Sequence, residues 1–190
     1  MSAASTAPRG EWDALLERVT NAEARLGAVE RRVPSDRVTI VAFSRDFDKV
    51  LTTLLVATGA AAMGSEVSVF FAFWGLTMIK KKGRSRKRKR AITEKLLAAM
   101  LPAGPGGTSQ MNMMGIGPVF FQFLMKERKV QSIDDLMAVA RESGVKLIAC
   151  RMSMDVMGVH EDELLDGVEI GGVASMLGDA CDSRATFFIG

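Results

Sequence analysis

Cys150 is the residue of this chain whose setting best suits covalent chemistry. It directly follows the apolar run VKLIA, which is typical of a buried strand, and it precedes the methionine-rich segment RMSMDVMG. If that segment begins a helical turn, its free backbone N–H groups would interact favourably with an anionic sulfur, which makes Cys150 a candidate nucleophile. The alternative is that Cys150 and the methionines are ordinary core residues, since both side chains are soft and often buried.

Other candidate site residues also follow predicted strands. In an open parallel sheet, ligands bind at the carboxyl ends of the strands, where the loops gather. We therefore expect the site around Cys150 to be supported by residues just after the first strand, just after the second, and just after Cys150 itself: Ser44, Trp74, Gly75, Met152 and Ser153.

The residues that other chemistries require are missing or scattered. His160 is the only histidine and lies in the polar segment GVHEDE, which is typical of a solvated loop. Zinc needs clustered Cys and His ligands, and Cys181 lies far from both Cys150 and His160 in the sequence. We therefore expect neither a bound metal nor an organic cofactor, and we assign no role to Cys181.

The composition indicates a globular protein with one sizeable core. The chain has 190 residues, of which 48% are hydrophobic, and its first twelve residues lack the apolar segment of a secretory signal. Two cysteines are too few for a disulfide scaffold, so we expect a cytoplasmic protein. Residues 50–79 resemble a membrane span, but Glu66 interrupts them, which favours a helix followed by a strand. Membrane association is therefore an alternative that we do not favour.

Positive charge is concentrated in residues 80–90, KKKGRSRKRKR. This segment contains nine of the 25 Lys and Arg residues, so the remainder of the chain has 16 basic residues against 22 acidic ones. No aromatic residue is interleaved and no recognition motif flanks it, so nucleic-acid binding is not favoured. An acidic protein partner and membrane phosphates remain alternatives.

The remaining elements predict an α/β fold with an N-terminal helical arm. We expect disorder over residues 1–10 and a heptad-like helix over residues 11–34, which either packs on its own domain or forms an oligomer. The strands VTIVAF, EVSVFFAF, VKLIA and ATFFI alternate with helical segments, including EIGGVASMLGDA, over residues 37–190. This order predicts a three-layer α/β sandwich with a mostly parallel sheet. A basic, Gly- and Met-rich insertion interrupts it at about residues 77–130.

Several motifs resemble a known family. SRDFDKVLTTLLVATGAAAMGSEVSVFFAFWGL, MNMMGIGP and ACRMSMDVMGVHEDELLDGVEIGGVASMLGDA are similar to the DsrE/DsrF-like sulfur-relay proteins, in the branch with a long central insertion. Such sequences are sometimes labelled peroxiredoxins, but the chain has no peroxidatic Thr/Cys context.

The resemblance implies a cytoplasmic homo-oligomer that carries sulfur as a cysteine persulfide. The thiol position of the family pattern falls on Cys150, so the implied function is a sulfur carrier or sulfurtransferase that exchanges sulfur with protein donors and acceptors. The alternative is a non-enzymatic oligomeric binding or scaffolding module in which Cys150 is a core residue and the basic segment engages an acidic partner, nucleic acid or a membrane surface.

Overall fold

The structure is a computed structural model that describes residues 9–30, 35–82, 103–107 and 116–190. Contacts divide the chain into residues 1–35 and residues 36–190. The first unit contains helix α1 (Arg9–Glu30), which carries the apolar stripe of the predicted arm. This helix includes Arg9 and Gly10, and residues 1–8 and 31–34 lie outside the described residues.

The second unit contains a parallel sheet that confirms the predicted three-layer α/β sandwich. Its described strands are β1 (Ser35–Ala42), β2 (Glu66–Phe71), β3 (Lys146–Cys150), β4 (Glu169–Gly171) and β5 (Ser183–Ile189), in the spatial order β4-β3-β2-β1-β5. β1, β2 and β3 are parallel, and Phe71 of β2 pairs with Ala42 of β1 and with Ala149 of β3. The three strands therefore end at the same edge of the sheet. β5 lies next to β1. At one end of the pair Thr39 Oγ1 is hydrogen-bonded to Ser183 Oγ, and at the other end the Phe43 N–H donates to the Ile189 carbonyl.

Helices cover both faces of this sheet. The described helices are α2 (Phe47–Ala62), α3 (Ile116–Glu127), α4 (Ile133–Glu142), α5 (Arg151–Met157) and α6 (Val173–Asp182), with 3-10 segments at Phe73–Ile79 and Glu161–Glu163. α2 and α4 pack on the main core with alternate strand residues such as Ile40, Val69 and Leu147. Neighbouring residues of a strand point to opposite faces, so Val41, Phe70, Ile148 and Cys150 form a second cluster on the other face.

Capping residues and glycines mark the ends of α2 and α4. Ser132 is the N-cap of α4, and its side chain accepts a hydrogen bond from the Asp135 N–H while the Asp135 carboxylate accepts one from the Ser132 N–H. Such a reciprocal pair satisfies two donors of the first turn that have no partner within the helix. Gly64 and Gly144 have positive φ and end the turns after α2 and α4.

The segment EIGGVASMLGDA is not wholly helical, contrary to the prediction. Glu169–Gly171 is a short strand, β4, which pairs with β3 in the register Ile148–Glu169 and Cys150–Gly171. α6 begins only at Val173, after Gly172 as its N-cap. Pairing with β3 uses the backbone of residues 169–171, and the two glycines are poor helix formers, so the helix starts after them.

Residues 50–79, the apolar segment that resembled a membrane span, form most of α2, the whole of β2 and a 3-10 segment. Within the described part of the chain, no helix is long and apolar enough to cross a membrane. About half of the predicted insertion at residues 77–130 lies outside the described residues, which there comprise 77–82, 103–107 and 116–130.

Candidate functional site

Cys150 is the last residue of β3 and the N-cap of α5. Strand alternation points its side chain into the second apolar cluster, beside Val41, Phe70 and Ile148. The residue is only 2% exposed, so the thiol lies beneath the surface of the chain. The sequence prediction of a cysteine at a strand end is confirmed, whereas the access that a reactive thiol needs is absent in this conformation.

Helix α6 packs on the Cys150 cluster through few apolar side chains. Met176 packs against the cluster and is only partly buried, and α6 contains no fully buried residue. Its polar contacts include Asp179, which forms an ion pair with Arg37 at 3.2 Å and whose carbonyl accepts a hydrogen bond from Ser183 Oγ at 2.6 Å. The hydrogen bond to Glu66 raises the pKa of Arg37, which is thus held as a cation beside Asp179. Few apolar contacts therefore oppose displacement of α6 from the cluster.

The N-termini of α5 and α6 lie on either side of Cys150. α5 starts at the next residue, and α6 starts two residues after Gly171, the register partner of Cys150 on the adjacent strand. Adjacent strands are about 5 Å apart. The backbone N–H groups in the first turn of a helix have no acceptor within that helix. Cys150 therefore lies beside the first turns of both helices, although its side chain makes no capping hydrogen bond to α5 in the thiol form.

Ser153 is a buried polar residue in the first turn of α5. It is 0% exposed, and its Oγ has no hydrogen-bond partner within the described part of the chain. Ser153 is the third residue of α5; its helix neighbours Met154 and Met157 are buried in the main core, whereas the Cys150 side chain belongs to the second cluster. The sequence placed Ser153 near Cys150 through its position, but gave no sign that its hydroxyl would be unpaired.

Gly75 and Trp74 occupy the 3-10 segment after β2. A Cβ on Gly75 would collide with the carbonyl oxygen of Ala42 and lie 3.0 Å from the Ala42 carbonyl carbon. The lack of a side chain therefore lets this segment pack against the end of β1. Trp74 is 42% exposed, and its carbonyl accepts a hydrogen bond from Thr77 Oγ1.

Two of the predicted supporting residues lie away from the thiol. Ser44 Oγ accepts a hydrogen bond from the Asp46 N–H, and Ser44 lines a small void with main-core residues including Phe71, on the face opposite Cys150. Met152 is 51% exposed. The methionine that packs on the Cys150 cluster is Met176, which the sequence analysis missed. Its one sequence signal was its place within the predicted helical segment EIGGVASMLGDA.

The other residues considered as metal ligands, Cys181 and His160, do not form part of a metal site in the described part of the chain. Cys181 lies in α6 and is exposed, and both cysteines are free. His160 lies in a loop, where its carbonyl accepts a hydrogen bond from the Glu163 N–H. Among the described residues there is no group of three or more His, Cys, Asp or Glu side chains suited to hold a metal ion.

The start of the basic segment is neutralised by acidic residues of the same domain. Lys80 pairs with Glu163 at 3.4 Å, and both side chains are nearly buried. Lys81 pairs with Asp166 and Lys82 with Asp134, each at 2.7 Å. The other cations of residues 80–90 lie outside the described residues. The three described lysines therefore attach the segment to its own domain rather than presenting unpaired charge.

Large apolar side chains are exposed near the carboxyl edge of the sheet. Phe43 follows β1, Phe73 and Trp74 follow β2, and Met152 lies in the first turn of α5. Phe73 has a φ of 47°, a left-handed conformation that is unfavourable for a bulky residue. Exposed apolar side chains of this kind are found at protein interfaces.

Comparison with known proteins gives a consistent result. Residues 34–188 match the model of the DsrE/DsrF/DrsH-like family. The chain is 41% identical over 155 residues to YrkE of Bacillus subtilis, covering 80% of this chain and 96% of that protein. It is 31% identical over 161 residues to the sulfur carrier protein DsrE2 of Allochromatium vinosum, covering 80% and 98%. Among solved structures, the YchN protein from E. coli matches with a TM-score of 0.49 and 13% identity, covering 80% of this chain and 98% of that one.

Proposed function

The chain belongs to the DsrE/DsrF/DrsH-like family, and from this premise we propose that it is a sulfur carrier that holds sulfur as a persulfide on Cys150. The similarity to the sulfur carrier protein DsrE2 over most of both chains supports a role in sulfur relay. The structural observation that carries the choice of residue is the position of Cys150 between the N-termini of α5 and α6.

The proposed chemistry is a reversible exchange of one sulfur atom. The Cys150 thiolate attacks the outer sulfur of a donor persulfide, R–S–SH. A new S–S bond forms at Cys150 while the donor S–S bond breaks, which gives Cys150–S–SH and the donor thiolate R–S⁻. An acceptor thiolate then attacks the outer sulfur in the same way and regenerates the Cys150 thiolate. The donor and the acceptor each supply a thiol, so the chain acts as a carrier with sulfurtransferase-like activity.

Burial of Cys150 fits a carrier only if the cover over the thiol opens. A persulfide is easily reduced by small thiols, so shelter within an apolar cluster would lengthen its lifetime. α6 is the covering element among the described residues, and it contributes one partly buried methionine to the cluster. We propose that α6 moves away from the cluster when a donor or acceptor docks.

Partners would dock on the apolar surface at the carboxyl edge of the sheet. Phe43, Phe73, Trp74 and Met152 are exposed there, at the end of the sheet where Cys150 lies. The same kind of exposed apolar side chain, at Phe123 of α3 and Phe188 of β5, supports assembly into a homo-oligomer. Two free thiols support a location in the reducing cytoplasm.

The burial of Cys150 also favours a second candidate function, a non-enzymatic oligomeric binding or scaffolding module. In that case Cys150 is a core residue, and the basic segment binds an acidic partner. The internal pairing of Lys80, Lys81 and Lys82 weakens this candidate, because it removes three cations of that segment from any such contact.

Sulfur loading distinguishes the two functions. The full-length protein is incubated with glutathione persulfide, and mass spectrometry measures the addition of a sulfur atom and locates it. We expect addition to Cys150 in the parent and in Cys181→Ser, and none at this site in Cys150→Ala. Cys181→Ser is the matched control because Cys181 is the exposed free cysteine. Equal loading of the parent and Cys150→Ala would refute the carrier function of Cys150.

A further inference from the structure

The buried hydroxyl of Ser153 lacks a hydrogen-bond partner, although buried polar groups in proteins are nearly always paired. The residue is 0% exposed, and neither a side chain nor a backbone group of the described residues bonds to its Oγ. Such a group either carries an unfavourable contribution to stability or has a partner that is bound only in another state of the protein.

Cys150 and Ser153 occupy two positions at the start of α5 whose side chains can approach each other. Cys150 is the N-cap of α5 and Ser153 is the third helical residue, the same pair of positions that forms the capping box of α4. In α4 the two side chains are in direct contact, with Ser132 Oγ 2.6 Å from Asp135 Oδ2. In α5 no hydrogen bond joins the thiol to the Ser153 hydroxyl.

We propose that the Ser153 hydroxyl donates a hydrogen bond to the outer sulfur of a Cys150 persulfide. This inference rests on the proposed carrier function and names the group that holds its cargo. The outer sulfur extends the Cys150 side chain by one S–S bond, about 2 Å. The persulfide anion is an acceptor, so it satisfies the hydroxyl that is unpaired in the thiol form. The hydrogen bond leaves the exchange reaction balanced, because Ser153 keeps its proton throughout.

The proposal gives Ser153→Ala opposite effects on the two forms of the protein. In the thiol form the substitution removes an unpaired buried hydroxyl, so the melting temperature should stay unchanged or rise. In the persulfide form it removes a hydrogen bond to an anionic sulfur, so the sulfur should be lost about tenfold faster. A purely structural serine would lower the melting temperature of the thiol form and would not change the lifetime of the persulfide.

The test uses full-length protein carrying Cys181→Ser, loaded with glutathione persulfide. Cyanide then removes the outer sulfur as thiocyanate and restores the Cys150 thiolate, and the rate is followed in the native state. The matched control is Ser175→Ala, since Ser175 is the third residue of α6 and is exposed. We expect Ser153→Ala to release sulfur about tenfold faster than the parent, and Ser175→Ala to match the parent.

Three results would overturn the proposal. Equal release rates for the parent and Ser153→Ala, with normal loading of Cys150, would refute the role of Ser153 and leave the carrier function standing. An equal acceleration by Ser175→Ala would show that the effect is not specific to Ser153. Failure of the parent to load at Cys150 would refute the carrier function and the role of Ser153 together.

Discussion

Replacing Met176 with alanine should expose the Cys150 thiol without unfolding the protein. Met176 is the α6 side chain that packs on the Cys150 cluster, and it is partly buried. Truncating a fully buried methionine to alanine costs about 2–5 kcal/mol, so a partly buried one should cost about 1–2 kcal/mol. This contact is lost when α6 moves away, so the substitution lowers the free energy of that opening by the same amount.

The expected result is a faster reaction of Cys150 with a thiol reagent. A change of about 1–2 kcal/mol raises the population of the open state roughly 5- to 30-fold. If opening is fast compared with alkylation, the labelling rate rises by the same factor. The assay measures iodoacetamide labelling of Cys150 by mass spectrometry under native conditions, in a Cys181→Ser background that removes the exposed thiol.

A core substitution remote from α6 provides the control. Leu54 is 1% exposed and packs in the main core on the opposite face of the sheet, so Leu54→Ala should lower global stability by about 3 kcal/mol. If α6 opens locally, Leu54→Ala should accelerate labelling less than Met176→Ala does, despite its larger effect on unfolding. Labelling rates that follow global stability instead would show that Cys150 is reached only by unfolding, and would refute the role of α6 as a movable cover.

Two further predictions concern the framework around the site. Gly75→Ala places a Cβ against the backbone at the end of β1, so we expect the free energy of unfolding in thermal denaturation to fall by about 2–3 kcal/mol. Gly59→Ala is the control and should be stabilising, because its Cβ meets open space within α2. Equal effects of the two substitutions would refute the packing argument. Glu163→Ala removes the carboxylate from its nearly buried pair with Lys80 and should cost about 3 kcal/mol in urea denaturation. Asp166→Ala breaks an exposed pair and should cost less than about 1 kcal/mol, so similar losses would contradict the importance of burial.

Local sequence signals were sufficient for most of the elements. The apolar runs that became β1, β2 and β3 are continuous because both faces of a parallel sheet are covered, and this pattern distinguishes them from the amphipathic helices. The boundaries of α4 follow from Ser132, Asp135 and Gly144, whose effects act within one turn. β4 was missed because a strand of three residues is stabilised by its pairing with β3 rather than by its own residues.

Only part of the predicted site could be located from the sequence, because local positions are encoded in short segments and tertiary contacts are not. Cys150 ends β3 as the sequence indicated, since a strand end is a local property. The side of the sheet on which each residue lies depends on the sheet as a whole, and this separates Ser44 from Cys150 although both follow strands. Met176 contacts the cluster through the packing of α6, a relation that no short motif encodes.

The sequence by itself determined the order of the main strands and helices other than β4, the family resemblance and the strand-end position of Cys150, because each of these follows from residues that are close together in the chain. Only the tertiary structure decided that Cys150 is buried beneath α6, that Ser153 Oγ is left unpaired, and that the lysine at the start of the basic segment pairs with Glu163. Burial and pairing depend on segments that are distant in the sequence and meet only when the chain folds, so composition and spacing leave them undetermined.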